Sequence, residues 1–272
     1  MSYVRYNCKL LCVKSSAANG RAVMIVMQRI QEYNARSINY NMRKVFASMY
    51  KQFKEFDGVP DQIDIARIVF SHSTWETAIL TDAYNRMADA VYPLIADDEG
   101  LKSMEHYLEH KSDEPPANYK RDLNSWIFQH LGVHISDIDD TTMGEIRELA
   151  SISKTTEDFQ KSIKGYFINN APSRAYTIAR TESHSAATTS ADISVRNTDI
   201  GRDKIKVWRT TKVNTRQTHK EMDGVSVGMD DAFQVPRNDG GYDMMMYPGD
   251  STYAPSAGNV VNCRCMCFYR YA

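Results

Sequence analysis

The sequence predicts a mainly α-helical protein that ends in a small, loop-rich α+β module. Three observations predict it. Apolar residues recur at spacings of three and four through most of the first 196 positions, the period of a helix with one buried face. Turn-forming residues accumulate only after Gly201, in Asp223-Gly224, Asn238-Asp239-Gly240-Gly241, Pro248-Gly249-Asp250 and Ser256-Ala257-Gly258. Strand-like alternation begins late, over residues 205–210, and returns at 260–271.

Residues 21–56 read as one long helix. Val23, Met27, Ile30, Ile38, Met42, Val45, Met49, Phe53 and Phe56 line its apolar side, and neither proline nor glycine interrupts it. At ~1.5 Å per residue it would run on the order of 54 Å. Gly58 and Pro60 stop it. Residues 61–70 and 74–96 read as two further helices. Thr74 is the expected cap of the second, Trp75, Ile79, Leu80 and Met87 form its apolar face, and Pro93 is expected to kink or end it. A short helix is expected over 100–110.

Residues 111–118 contain Pro115-Pro116 and make the clearest boundary in the chain, because consecutive prolines cannot continue a helix. Helices are expected beyond it over 119–131, 142–170 and 172–196, the last opening on Pro172. Ala175, Ala179, Ala186 and Ala187 give that helix small side chains suited to close packing against a neighbour. The expected division is therefore an N-terminal helical region, 1–112, and a C-terminal region, 119–272. The latter is helical over 119–196 and mixed α+β over 201–272.

Charge is unevenly distributed. Residues 1–56 carry ten Lys/Arg and two Glu, whereas 57–118 carry thirteen Asp/Glu and four Lys/Arg. The two segments would either compensate each other within the fold or leave the basic one to an acidic partner. Arg29, Arg36 and Arg43, seven apart, form a stripe along the first helix that Lys44, Lys51 and Lys54 thicken. Pairing within the fold or plain solvation is the simpler reading. Contact with DNA phosphates or an acidic protein is the functional one.

No run of about 18 apolar residues is present, so no membrane helix or membrane partner is expected. Lys9 and Lys14 break up the N-terminus, which argues against a secretory leader and for a protein made in the cytoplasm. The five cysteines, Cys8, Cys12, Cys263, Cys265 and Cys267, are odd in number and do not imply a disulfide framework.

Four short blocks stand in order in the last hundred residues. They are Ala179-Arg180-Thr181-Glu182-Ser183, with Ala186 and Ala187 a turn later; Lys206-Val207-Trp208-Arg209-Thr210-Thr211; Arg216-Gln217-Thr218-His219 leading to Asp223-Gly224; and Pro248-Gly249-Asp250 followed by Asn262-Cys263-Arg264-Cys265. Phe233 lies between the last two. Over roughly residues 140–268 this order resembles the Mu F-like head-morphogenesis domain of tailed-phage minor head proteins. The resemblance implies a virion protein of the head, at the portal vertex or in the interior. It would be made in the host cytoplasm and take part in a symmetric assembly. Its implied partners are the portal or major head protein and packaged double-stranded DNA, with which some members are thought to travel. It implies no established catalytic activity and no cofactor.

The residues have their own chemistry. Arg180, Glu182, Arg216, His219, Asp223, Asp250 and Arg264 would, if they converge, form a buried polar network. Arginine suits bidentate pairing with a carboxylate, so Arg180, Arg216 or Arg264 with Glu182, Asp223 or Asp250 is the expected pairing. A sharper reading is a zinc site of His219, Cys263 and Cys265. On one extended strand the thiols of Cys263, Cys265 and Cys267 would share a face but step by roughly 7 Å, too far for all to reach one ion. Cys8 and Cys12 could join only if the chain termini meet. The alternative activity is a metal-dependent or histidine-based nuclease or hydrolase, with His219 as base and Glu182 or Asp223 orienting it. No P-loop, Gly-x-Ser-x-Gly or His-Glu-x-x-His motif supports it. The pairs His106/His110 and His130/His134 have metal-compatible spacing but are expected to be surface or packing residues, His134 because the helix should end near Gly132. Trp75, Trp126 and Trp208 are expected core anchors.

Overall fold

The computed structural model describes residues 19–96, 115–197 and 204–271. Cys8, Cys12, the expected helix over 100–110, and His106/His110 lie outside them. The mainly helical architecture with a small C-terminal α+β module is what the structure shows.

Among the described residues six helices come first: α1 (Asn19–Glu55), α2 (Gln62–Phe70), α3 (Ser73–Ala96), α4 (Ala117–Ile152), α5 (Thr156–Asn169) and α6 (Ala171–Asn197). The long first helix forms as its periodicity predicts. Ile38, Met42, Val45, Met49 and Phe53 are fully buried at the three- and four-residue spacing. Asp61 starts α2 with a capping box, accepting from the amides of Ile63 and Asp64 while Asp64 reaches back to its own amide.

Pro93 does not end its helix, and the break expected near Gly132 does not form. Pro93 sits inside α3, one turn from its end, where it forfeits a single backbone bond. Gly132 and Gly144 lie inside one continuous α4, not between two helices. A helical glycine costs about 1 kcal/mol relative to alanine. Burial of Leu131, Ile135 and Ile138 around Gly132 returns roughly 1.5–3 kcal/mol each and outweighs it. The break falls later, where Ser153 is extended and Thr155 caps α5. Trp75 is also not an anchor: it is 41% exposed in the first turn of α3, stacked on His72.

Helix α6 is the centre of the molecule. It packs chiefly against α1 and α3, and also against α4 and α5. Every residue from Thr181 to Asp192 is buried. The alanines allow the close approach their sequence predicts, and hydroxyls bond within the helix, Thr188 to the His184 carbonyl and Ser194 to that of Ser190. One hydrophobic core runs from Val26 through Phe53, Tyr84 and Phe159 to Ala191 and Met266. The two regions divided by sequence at 112–119 therefore share a single core.

The terminal module contains β1 (Lys204–Arg209), the single-turn helix α7 (Gln217–Lys220), β2 (Ser226–Gly228), β3 (Phe233–Pro236), β4 (Tyr242–Met245), the single-turn helix α8 (Ala257–Val260) and β5 (Met266–Tyr271). β1 is the middle strand of an antiparallel sheet in the order β2-β1-β5, with Trp208 opposite Cys267. β3 and β4 form a separate hairpin, with Phe233 opposite Met245. Trp208, Met222, Phe233, Val235, Met245 and Val260 make a second small core, which Cys263 and Cys265 complete. Trp208 meets Phe233 edge-on at 5.3 Å between ring centroids, so the tryptophan expected to anchor this region does so.

Candidate functional site

The second core carries a cluster of soft donors. Single-turn α7 presents His219, which is buried. The chain leaves α8, turns at Asn262 with φ of 57°, and brings Cys263 and Cys265 to it before β5 begins. Cys263 Sγ lies 3.6 Å and Cys265 Sγ 3.4 Å from His219 Nδ1. The 7 Å stepping expected of one extended strand does not apply, because only Cys267 is in the strand. Cys267 instead sits opposite Trp208, and burial pushes its thiol pKa up.

The other side of His219 is fixed. Nε2 is 3.2 Å from Asn259 Oδ1. Asn259 Nδ2 donates to the Pro236 carbonyl at 3.0 Å and to Asp243 Oδ2 at 2.8 Å, so its oxygen must face the histidine. Nε2 of His219 therefore carries the proton and Nδ1 presents a lone pair to the two sulfurs. Asp243 is itself held by the amide and hydroxyl of Ser256.

His184, from the middle of α6, completes the surroundings. It is buried and close enough to Cys263 to act on that thiol, though no hydrogen bond of good geometry satisfies either of its ring nitrogens. Burial raises that thiol's pKa, but hydrogen bonding from Cys265 and the influence of His184 and His219 outweigh it and hold Cys263 well below the usual thiol range. Cys265 is pushed far up, first by its hydrogen bond to Cys263 and then by burial.

Glu182, two residues before His184, belongs to a different cluster. It accepts from Tyr84 Oη of α3, from His130 Nε2 at 3.0 Å and from His134 Nδ1 at 2.9 Å, both on α4. Burial would raise the Glu182 carboxyl. The charge of His134 and the hydrogen bonds of both histidines overcome it and hold the group well below the usual carboxylate range. Ser251 Oγ meets the remaining nitrogen of His130 at 3.2 Å, which ties α4 to the terminal module. His130 and His134 are thus not surface residues, and Gly132 leaves them one turn apart on a continuous helix.

The seven polar residues expected to form one network do not. Among the described residues none of Arg180, Arg216 and Arg264 pairs with Glu182, Asp223 or Asp250. Arg216 donates to the Val261 carbonyl at 2.6 Å, holding the turn before Cys263. Asp223 accepts from the Thr210 amide at 2.9 Å and closes the β1–β2 connection. Asp250 accepts from the amides of Met246 and Thr252. Arg180 lies over the Tyr176 ring, and with Arg264 and Arg36 it lines a cleft of about 540 Å³ between α1 and α6, which His184 and Cys263 also reach. The residues divide because their blocks serve separate turns. The His219–Glu182 or His219–Asp223 arrangement of a histidine-based hydrolase is likewise not assembled.

Comparison with protein families gives a match over residues 148–268 to the family described as Phage Mu protein F like protein. Over this stretch, less than half of the chain, the sequence is similar to that family. No curated protein and no solved structure matches the chain. The matched stretch begins near the end of α4 and runs through α5, α6 and the terminal module into β5. It therefore contains Glu182, His184, His219, Cys263 and Cys265, while α1, α3 and most of α4 supply the rest of its packing. The matched family is phage head-related. No helix among the described residues is long and apolar enough to cross a membrane.

Sequence reasoning missed His184, Asn259, Asp243 and Tyr84. His184 had a signal, its place one half-turn beyond Glu182 in the same block. Asn259 and Asp243 had none, since their role depends on contacts across forty and sixteen residues.

Proposed function

We propose that this protein is a structural minor head protein that helps build or complete the phage head near the portal, and that it is not an enzyme. The observation that carries the reading is the Mu F-like domain, with α1 and α3 packed directly on its central helix. The N-terminal helices are thereby fixed to the domain and offer a rigid arm to a second partner. Arg29, Arg36, Arg43, Lys44 and Lys51 are exposed along α1. Lys44 lies over the Tyr40 ring and Lys51 is 4.0 Å from Glu55, both in water-facing positions where such contacts contribute little. The stripe would meet packaged DNA or an acidic face of the portal or major head protein.

The test is to purify particles, strip their exterior with protease and quantify the chain per particle by mass spectrometry. A reproducible, protected, low copy number supports the reading. Absence from particles overturns it. DNA contact is tested separately through salt. Affinity should fall with a slope of roughly 0.9 per phosphate neutralised, and replacing Arg43, Lys44 and Lys51 with alanine should lower that slope by about one per residue. A flat salt dependence removes DNA from the partners.

A further inference from the structure

We infer that His219, Cys263 and Cys265 bind a zinc ion, that His184 of α6, which lies outside the 4.8 Å set these three form, turns its ring to become the fourth ligand, and that the ion then clamps the terminal module to helix α6. One donor atom from each of the first three residues already lies within 4.8 Å of the others, and all three residues are buried. Their spacing fits the metal. For Zn–N of about 2.0–2.1 Å and Zn–S of about 2.3 Å, the N···S edge of a tetrahedron is roughly 3.5–3.6 Å. The two observed edges are 3.6 and 3.4 Å. A thiol–imidazole hydrogen bond alone would not require two sulfurs on the same lone pair.

The surroundings are those of a ligand shell. Asn259 holds the proton on Nε2 of His219, leaving Nδ1 as the donor, and Asp243 fixes Asn259. His184 is 3% exposed and faces the Cys263 thiol, yet no hydrogen bond of good geometry satisfies either ring nitrogen, a costly state that coordination would relieve. Two thiolates and two imidazoles form a closed, neutral set of the structural type, with no position left for substrate. The ligands come from three separated stretches: the middle of α6, α7, and the segment between α8 and β5. An ion joining them substitutes for the apolar contact that so small a second core lacks.

The test uses the full chain as purified. Native mass spectrometry should find one zinc per chain. Expression in cobalt-supplemented minimal medium should give the visible d–d bands of tetrahedral cobalt and a thiolate-to-cobalt charge-transfer band. The triple variant Cys8→Ser/Cys12→Ser/Cys267→Ser keeps only the two proposed thiolates and should retain the whole spectrum. Cys263→Ser/Cys265→Ser should lose the charge-transfer band. His184→Ala should keep that band and bind the ion at least tenfold more weakly. Metal-free native protein without cobalt absorption overturns the site, as does loss of the spectrum in the triple variant. Unchanged affinity in His184→Ala overturns the assignment of the fourth ligand.

Discussion

Gly249 lies against the ring of His184: a Cβ at position 249 would stand 2.8 Å from His184 Cδ2 and 3.1 Å from Nε2. Its φ of 82° is in the left-handed region as well. The Pro-Gly-Asp block therefore seats a backbone turn on the buried helix where no side chain fits. Gly249→Ala should destabilise the protein by roughly 2 kcal/mol or more, from the backbone term and the displaced ring together. Urea denaturation checks it. A variant within about 0.5 kcal/mol of wild type would show that the contact relaxes freely.

Tyr84→Phe removes one of the donors on the buried Glu182 carboxylate and nothing else of its shape. A hydrogen bond to a charged group contributes about 1.5–3 kcal/mol. The variant should lose about that much, and Glu182→Ala should lose more, since it leaves His130 and His134 facing an emptied buried site. If Tyr84→Phe is neutral in chemical denaturation, Glu182 does not depend on the α3 donor.

Glu76 supplies a pH dependence. It is fully buried on α3, and neither of its oxygens nor Oδ1 of Asp139 has a hydrogen-bond partner. Burial, and then the neighbouring Asp139, raise its pKa from 4.5 to about 8. A proton on Glu76 supplies the missing donor to Asp139. The folded state thus holds a proton that the unfolded chain releases near pH 4.5. The contribution is fully present below that value and is lost as pH rises towards 8, at ~1.4 kcal/mol for each pH unit between the two. Glu76→Gln, which carries a permanent donor, should match wild type near pH 5 and exceed it at pH 8 in urea midpoint. Equal midpoints at both values would rule out the raised pKa.

What the sequence could and could not show follows from the kind of information it holds. Helix α1 was legible over 21–56, and forms at Asn19–Glu55, because an uninterrupted apolar period is a local signal. The unbroken α4 was not, because the cost of Gly132 is local while the burial that outweighs it is tertiary. Cys263, Cys265 and His219 were legible as soft donors. Their convergence was not, because it depends on a turn at Asn262 that no spacing rule anticipates. Arg180 and Glu182, two residues apart, read as partners in one network. On a helix two positions apart they face different sides, one to the cleft and one to α3 and α4.

Helix α6 also governs the order in which the molecule can be made. α1 closes one side of it, yet α6 lies more than a hundred residues further along the chain. Its far side is sealed by β5, through Met266 in the main core and Tyr269 bonded to Asp192. During synthesis, at about 5–20 residues per second, the N-terminal helices wait many seconds for the surface they cover. Until the terminal module has emerged, the part of α6 that it covers, including Ser185 and Thr189, lacks its partners. The amides of α6 should therefore be among the last to gain protection from exchange.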